Sequence, residues 1–308
     1  MTKEEQEPRH LWLGVLLALI GYIFFVTASS LVWKFKGRFP TIQIIFIQNL
    51  ISLICIAPIA LRNGASHLKT QVLPLHLMRD VSGVLSYYLF FLAIRFLNLV
   101  DATTLNYTAP FFTPLMWWIW TRERVGRHVW WSIIIGFVGV AVILNPTRQM
   151  FQLGFVLGLF AGILSAVAFV SLRLLNLEKE PMSRTLFYYF ITGIILSGPF
   201  AWIYWVAPTS SEWWGAIGIG VATAAGQMFL TIAYRYGTAS YLSPLGYSSV
   251  IYAALSSWLI FGQVPSWRSI IGTVLIISGG TLTYLLKKKP ATLAETFETP
   301  EPKEKPPL

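Results

Sequence analysis

Most of this 308-residue chain is apolar, so the polar side chains set inside its apolar runs are the ones that could do chemistry. Asn106 and Tyr107 stand inside one run, and Tyr247, Ser248 and Ser249 stand at a matching depth in another. Tyr87, Tyr88 and Gln227 come just before these, and Gln48 and Asn49 interrupt an earlier run. Amides, hydroxyls and phenols of this kind bind and orient a solute; none forms a nucleophile-and-base motif. A polar group at membrane depth is costly, so it faces a bundle interior or a cavity. The expected substrate pocket is built on Asn106, Tyr107, Gln227 and Tyr247, with Tyr88, Ser248 and Gln48 as further candidates. Interhelical hydrogen bonding is an equally good use for each of these side chains.

Other residue types narrow the chemistry. Trp33, Tyr88, Trp117 and Trp118 could hold a cationic or purine-like ligand by cation–π contact or stacking. A Trp near the end of an apolar run more often anchors at the membrane interface. Arg95 and Arg235 occupy equivalent places at the ends of two runs, suited to helix capping, to snorkelling or to attracting an anion. Arg79-Asp80 reads as a local ion pair at the start of a run. With no Asp or Glu expected mid-run, facilitated diffusion or exchange is favoured over coupling through a buried carboxylate. The four His residues are scattered among loops and run ends, and the single Cys, Cys55, has no partner. No metal, cofactor or enzymatic activity is expected.

The elements that must position these residues are membrane helices. The hydrophobic fraction is 55% and the charged fraction 12%, about half the charge of a typical soluble domain. Ten spans are expected, at about 11–33, 41–61, 76–96, 100–120, 129–145, 153–174, 184–206, 213–234, 240–261 and 267–286. The run from Leu11 to Trp33 is too long for a signal-peptide core and is read as a retained span. Pro110 and Pro114 in the fourth span and Pro244 in the ninth remove helix hydrogen bonds and should bend those spans around a cavity. Gly154, Gly158 and Gly162 form a ridge for close helix approach. Residues 287–308, rich in Pro and Glu, should be a disordered cytoplasmic tail. The net charge of +10 forms no continuous basic face, so nucleic acid is not expected as a partner. With both termini cytoplasmic, 17 of the 23 Lys and Arg residues fall on the cytoplasmic side, as the positive-inside rule requires. The run Lys34 to Arg38 breaks that rule.

The chain also matches itself. At a shift of 140 residues Ala93 meets Ala233, Arg95 meets Arg235, Tyr107 meets Tyr247, Trp118 meets Trp258 and Gly139 meets Gly279. Pro40 meets Pro181 and Pro58 meets Pro199 at 141. Rare residues in order at a nearly constant offset signal a duplication. Five spans per half is odd, so the second half enters the membrane inverted, an architecture of secondary transporters whose site lies between the halves.

Each half resembles the EamA domain of the drug/metabolite transporter superfamily, over roughly residues 11–286. The resemblance is carried by residues 85–146, with Ala93, Ala102, Pro110, Glu123, Gly136 and Gly139. It is carried again by Ala233, Ala239, Pro244, Gly272, Gly279 and Gly280. Gln263 in place of a Glu, and the hairpins Leu97-Asn98 and Gly237-Thr238, depart from the pattern. The resemblance implies an all-α integral membrane fold with repeats at 11–146 and 152–286, and transport of a small molecule across the cell inner membrane. It implies a fold and not a cargo: members import S-adenosylmethionine or export amino acids and drugs. The Asn106-to-Phe112 segment and the Arg at the start of the third span are similar to the S-adenosylmethionine uptake branch. Homodimerisation is left open, and a membrane enzyme or a scaffold is the rival class.

Overall fold

A computed structural model describes residues 11–62, 64–122, 134–135, 138–139, 142, 153–236 and 243–285. Every regular element among them is helical. The first half contains α1 (Leu11–Lys34), α2 (Thr41–Leu61), α3 (Leu73–Phe96), α4 (Leu99–Asn106) and α5 (Ala109–Thr121). The second contains α6 (Leu153–Leu177), α7 (Met182–Ile203), α8 (Ser210–Tyr236), α9 (Ser248–Phe261) and α10 (Trp267–Leu285). Six of these, α1 to α3 and α6 to α8, are long and apolar enough to cross a membrane. In lipid a helix satisfies its own backbone, and long apolar runs have no cheaper way to do so. The span expected at 129–145 lies largely outside the described residues, and the tail at 287–308 wholly so; the ten-span count rests partly on them.

The fourth expected span is two helices. Pro110 has no N–H to give the Asn106 carbonyl, so the regular bonding stops there. The Tyr107 N–H donates to the Thr103 carbonyl at 2.9 Å and the Thr108 N–H to the Leu105 carbonyl at 3.1 Å. The Thr108 hydroxyl donates to the same Leu105 oxygen at 2.7 Å. The second half is interrupted at the equivalent depth: a 3-10 turn, Ser243–Tyr247, runs into α9. Asn98 caps α4, its side chain accepting from the Asp101 N–H at 2.8 Å, the usual role of Asn at a helix start.

Packing between the halves is reciprocal. α1 lies along α8, α3 lies along α6, and α2 packs against α7. The first helix of each half thus meets the third helix of the other, as two-fold related units do. Lipid tails are as apolar as Leu, so close approach, not hydrophobicity, holds such helices together. The small-residue ridge of α6 supplies it. A Cβ on Gly158 would stand 2.9 Å from a Leu105 methyl, and one on Gly154 would stand 2.7 Å from the Phe96 Cβ. At the equivalent place on α1, a Cβ on Gly14 would stand 3.1 Å from the Tyr236 Cβ. Phe90, Phe91, Ile94, Leu105, Leu186 and Phe190 fill the buried centre, while Trp202, Trp214 and Leu259 face outward.

Candidate functional site

A cavity of about 70 Å³ lies where α1, α3, α4, α6, α7 and α8 converge. Six of its sixteen lining residues are aromatic. Tyr22 and Phe25 come from α1, Tyr87 from α3, Tyr189 from α7, and Tyr107 from the break after α4. Tyr22 and Tyr107 meet edge to face with ring centres 5.8 Å apart, and Phe25 leans on Tyr87 at 6.2 Å. Offset and edge contacts of this kind suit the ring quadrupoles and hold the walls in place.

The polar groups are few and specific. Arg79 reaches the cavity from α3 and is 4% exposed. Its Nη2 donates to the Gln227 side-chain oxygen at 3.2 Å, and its guanidinium lies 3.9 Å over the centre of the Tyr189 ring. Asp80 is fully buried beside it; Arg79 Nη1 stands 3.5 Å from one carboxylate oxygen, and the Thr192 hydroxyl 3.5 Å from the other. Elsewhere in the lining Ser165 donates to the Asn106 side-chain oxygen at 3.3 Å and shares a 2.7 Å hydrogen bond with Ser86. Arg79 is six residues into α3, about 9 Å from its start at 1.5 Å per residue. The arrangement can bind, orient and desolvate a ring-bearing solute with a charged or hydrogen-bonding end. Among the described residues no group of His, Cys, Asp and Glu could hold a metal ion.

The sequence pattern of the EamA-like transporter family matches residues 12–145 and again residues 152–285. The chain belongs to the EamA-like transporter family. It is 29% identical over 266 residues to the pseudopaline exporter CntI of Pseudomonas aeruginosa, covering 86% of this chain and 93% of that one. It is 26% identical to a riboflavin transporter of Vibrio cholerae, over 86% of this chain and 90% of the relative. It is 24% identical to an S-adenosylmethionine uptake transporter of Rickettsia felis, over 85% and 90%. A solved crystal structure shares the fold with a TM-score of 0.66 at 18% identity, covering 89% of this chain and 96% of that one. The protein is therefore a multi-pass membrane transporter and not an enzyme.

The transporter brings three of the seven expected pocket residues, Asn106, Tyr107 and Gln227, to the cavity wall. Tyr247 is buried next door, its ring tilted at 40° to that of Phe111 with ring centres 6.3 Å apart. Its neighbour Gly246 lies against the Tyr107 ring, and Tyr247 packs in the same buried cluster as Tyr87 and Tyr107. Tyr88 packs against the core from the other side of α3. Gln48 is buried on α2 and the Ser248 hydroxyl at the start of α9, both without a hydrogen-bond partner among the described residues and both away from the cavity lining. The Trp candidates stand elsewhere: Trp33 packs on Phe261, Arg173 covers Trp117, and Trp118 faces outward.

Arg79, Tyr22 and Tyr189 belong to the site without having been expected there. The third span was expected from residue 76, which put Arg79-Asp80 near a rim. α3 starts at Leu73, with a Pro in its first turn, and so carries the pair deeper. No carboxylate was expected in the middle of a span; Asp80 lies seven residues into the 24-residue α3, short of its middle, and is buried there all the same. Tyr22 could not be found from the repeat because its partner at the 140 shift is Gly162. Tyr87 could, since its partner is Gln227, and both line the cavity.

Proposed function

We propose that this transporter carries a small organic metabolite by alternating access, with the Arg79–Tyr107–Gln227 cavity as its central site. The observation that carries the reading is a pair of matched latches at the two ends of α2. At its N-terminal end, Arg38 pairs with Glu212 at 2.8 Å. Gln43 there donates to the Val206 carbonyl at 2.7 Å and accepts from the Val206 N–H at 2.9 Å. Beyond the other end, Glu180 accepts from Thr70 at 2.9 Å and from Arg184 at 2.9 Å, and lies 3.2 Å from His76 Nε2. Arg184 also donates to the His67 carbonyl at 2.6 Å. Each latch joins one half to the other, and Pro40 and Pro181, which mark them, match in the repeat. The 21 residues of α2 hold the two latches about 30 Å apart, with the cavity between.

The Arg38–Glu212 pair is solvent-exposed and therefore weak and screened by salt, so it can break and re-form during transport. The cavity is smaller than a nucleoside, so cargo enters with the halves further apart. Rocking of one half on the other, opening one latch at a time, is the motion the reciprocal packing supports. The 17-to-6 distribution of Lys and Arg supports both termini in the cytoplasm and the Glu180 latch on the cytoplasmic face, in a cell inner membrane.

The aromatic walls and the S-adenosylmethionine and riboflavin relatives favour a cargo with a flat ring, and uptake or exchange of an S-adenosylmethionine-like solute is the first choice. Export is the second reading, favoured by the higher identity to the pseudopaline exporter. Proteoliposomes loaded or bathed with labelled S-adenosylmethionine and riboflavin test both. Saturable flux is expected. Its direction under an imposed gradient separates uptake from export, and no saturable flux for any ligand that binds sinks the carrier reading.

A further inference from the structure

We propose that the cargo carries a carboxylate and that the Arg79 guanidinium is its anchor; the proposal rests on the carrier reading above and names the chemistry of the same site. A guanidinium has five N–H donors in a planar fork that fits two carboxylate oxygens at once. Arg79 uses that fork on neither of its neighbours. Gln227 takes one donor at 3.2 Å, and Asp80 meets a single nitrogen at 3.5 Å, well beyond the 2.7–2.9 Å or so of a charge-assisted bond.

The reason is geometric. Adjacent residues leave a helix roughly 100° apart, so Asp80 turns to Thr192 on α7 while Arg79 turns into the cavity. Tyr189 covers one face of the guanidinium. Its edge, with the spare donors, is left to whatever occupies the cavity. An almost fully buried cation with donors unused among the described residues is expensive to keep for stability alone. A carboxylate in the 70 Å³ space takes those donors. The aromatic wall of Tyr22, Phe25, Tyr87 and Tyr107 then holds the rest of the molecule.

Asp80 competes with such a cargo, because two anions then share one cation in a low-dielectric site. That makes a prediction of opposite sign for the two neighbours. Removing the charge of Arg79 weakens carboxylate binding, and removing the charge of Asp80 strengthens it. A pair that only braced the fold would lose function either way.

The test is calorimetric binding to the full chain in lipid nanodiscs. Two probe pairs differ by the acid group: S-adenosylmethionine against decarboxylated S-adenosylmethionine, and benzoate against benzamide. Wild type is expected to bind each acid about tenfold or more tightly than its partner, the scale of a charged hydrogen bond. Arg79→Gln brings the two members of each pair to within about twofold, and Arg79→Lys falls between, since an ammonium lacks the fork. Asp80→Asn, which keeps the side-chain shape, tightens both acids several-fold. This arm stands even where Arg79→Gln fails to fold. Equal affinity for acid and partner in wild type overturns the proposal, as does weakening of the acids by Asp80→Asn. If none of the four binds while riboflavin is carried in proteoliposomes, the carboxylate proposal falls and the carrier reading stands. If nothing binds and nothing is carried, both fall.

Discussion

Tyr189 can lie over Arg79 because residue 83 has no side chain. A Cβ on Gly83 would stand 2.9 Å from the Tyr189 ring, so Gly83→Ala pushes the ring off the guanidinium. Overpacking of this kind costs about 1–3 kcal/mol. A lower unfolding temperature in detergent is expected, together with weaker cargo binding. Gln227 makes a second test of binding, because it holds Arg79 in place by a hydrogen bond and its truncation overpacks nothing. Gln227→Ala removes one hydrogen bond to a charged group, about 1.5 kcal/mol, and is expected to raise KM roughly tenfold with a modest fall in the unfolding temperature, smaller than that of Gly83→Ala. Initial-rate uptake in proteoliposomes measures the first and differential scanning fluorimetry the second. An unchanged KM removes Gln227 from the binding machinery.

At the scale of elements, two features decide how the site is made. One is the break between α4 and α5, which frees Asn106 and Tyr107 from a regular helix and turns them to the cavity. Pro110→Ala restores the missing donor and favours one continuous helix through that point. Slower transport with equal or greater stability is expected, read as kcat beside the unfolding temperature. The other feature is the α6 ridge. Leu105 fills the space over Gly158, so Gly158→Leu forces α6 away from α4. A loss of at least about 1–3 kcal/mol is expected, seen as a lower unfolding temperature and an aggregated fraction on size exclusion.

Across the whole molecule the latches set the balance between open and closed faces. Burial alone would raise the Glu180 carboxyl, but hydrogen bonds from Arg184, Thr70 and His76 outweigh it and hold the group below its usual range. A lowered value means that the closed latch is fully favoured above the ordinary Glu range and is lost as pH falls through the lowered value. In a Cys55→Ser background, a cysteine placed in the 64–72 linker should become more reactive to a membrane-impermeant, pH-tolerant thiol reagent as the pH is taken below the Glu range. Glu180→Gln should show that higher reactivity already at neutral pH. Glu212→Gln should open the opposite face instead, and equal effects of both variants on one face would contradict a two-gate carrier.

Hydropathy, the 140-residue repeat and the offset prolines were enough to specify a helical membrane protein in two related halves. Each of these depends on a residue and its neighbours along the chain, or on a copy of the same segment. They also pointed to Asn106, Tyr107 and Gln227, since a polar group in a long apolar run is visible without a fold. Only the tertiary structure decided which polar residues share a cavity. Tyr247 looked as good as Gln227 but is buried beside the cavity and not in its wall, and the further candidates Gln48 and Tyr88 sit outside the lining as well. Arg79 looked like a rim residue until the true start of α3 set its depth, and Tyr189 came to it from a helix more than a hundred residues away. Burial, and the pairing of helices that creates it, is a property of the assembled bundle, so no pattern along one segment could have assigned the charge at the centre of this site.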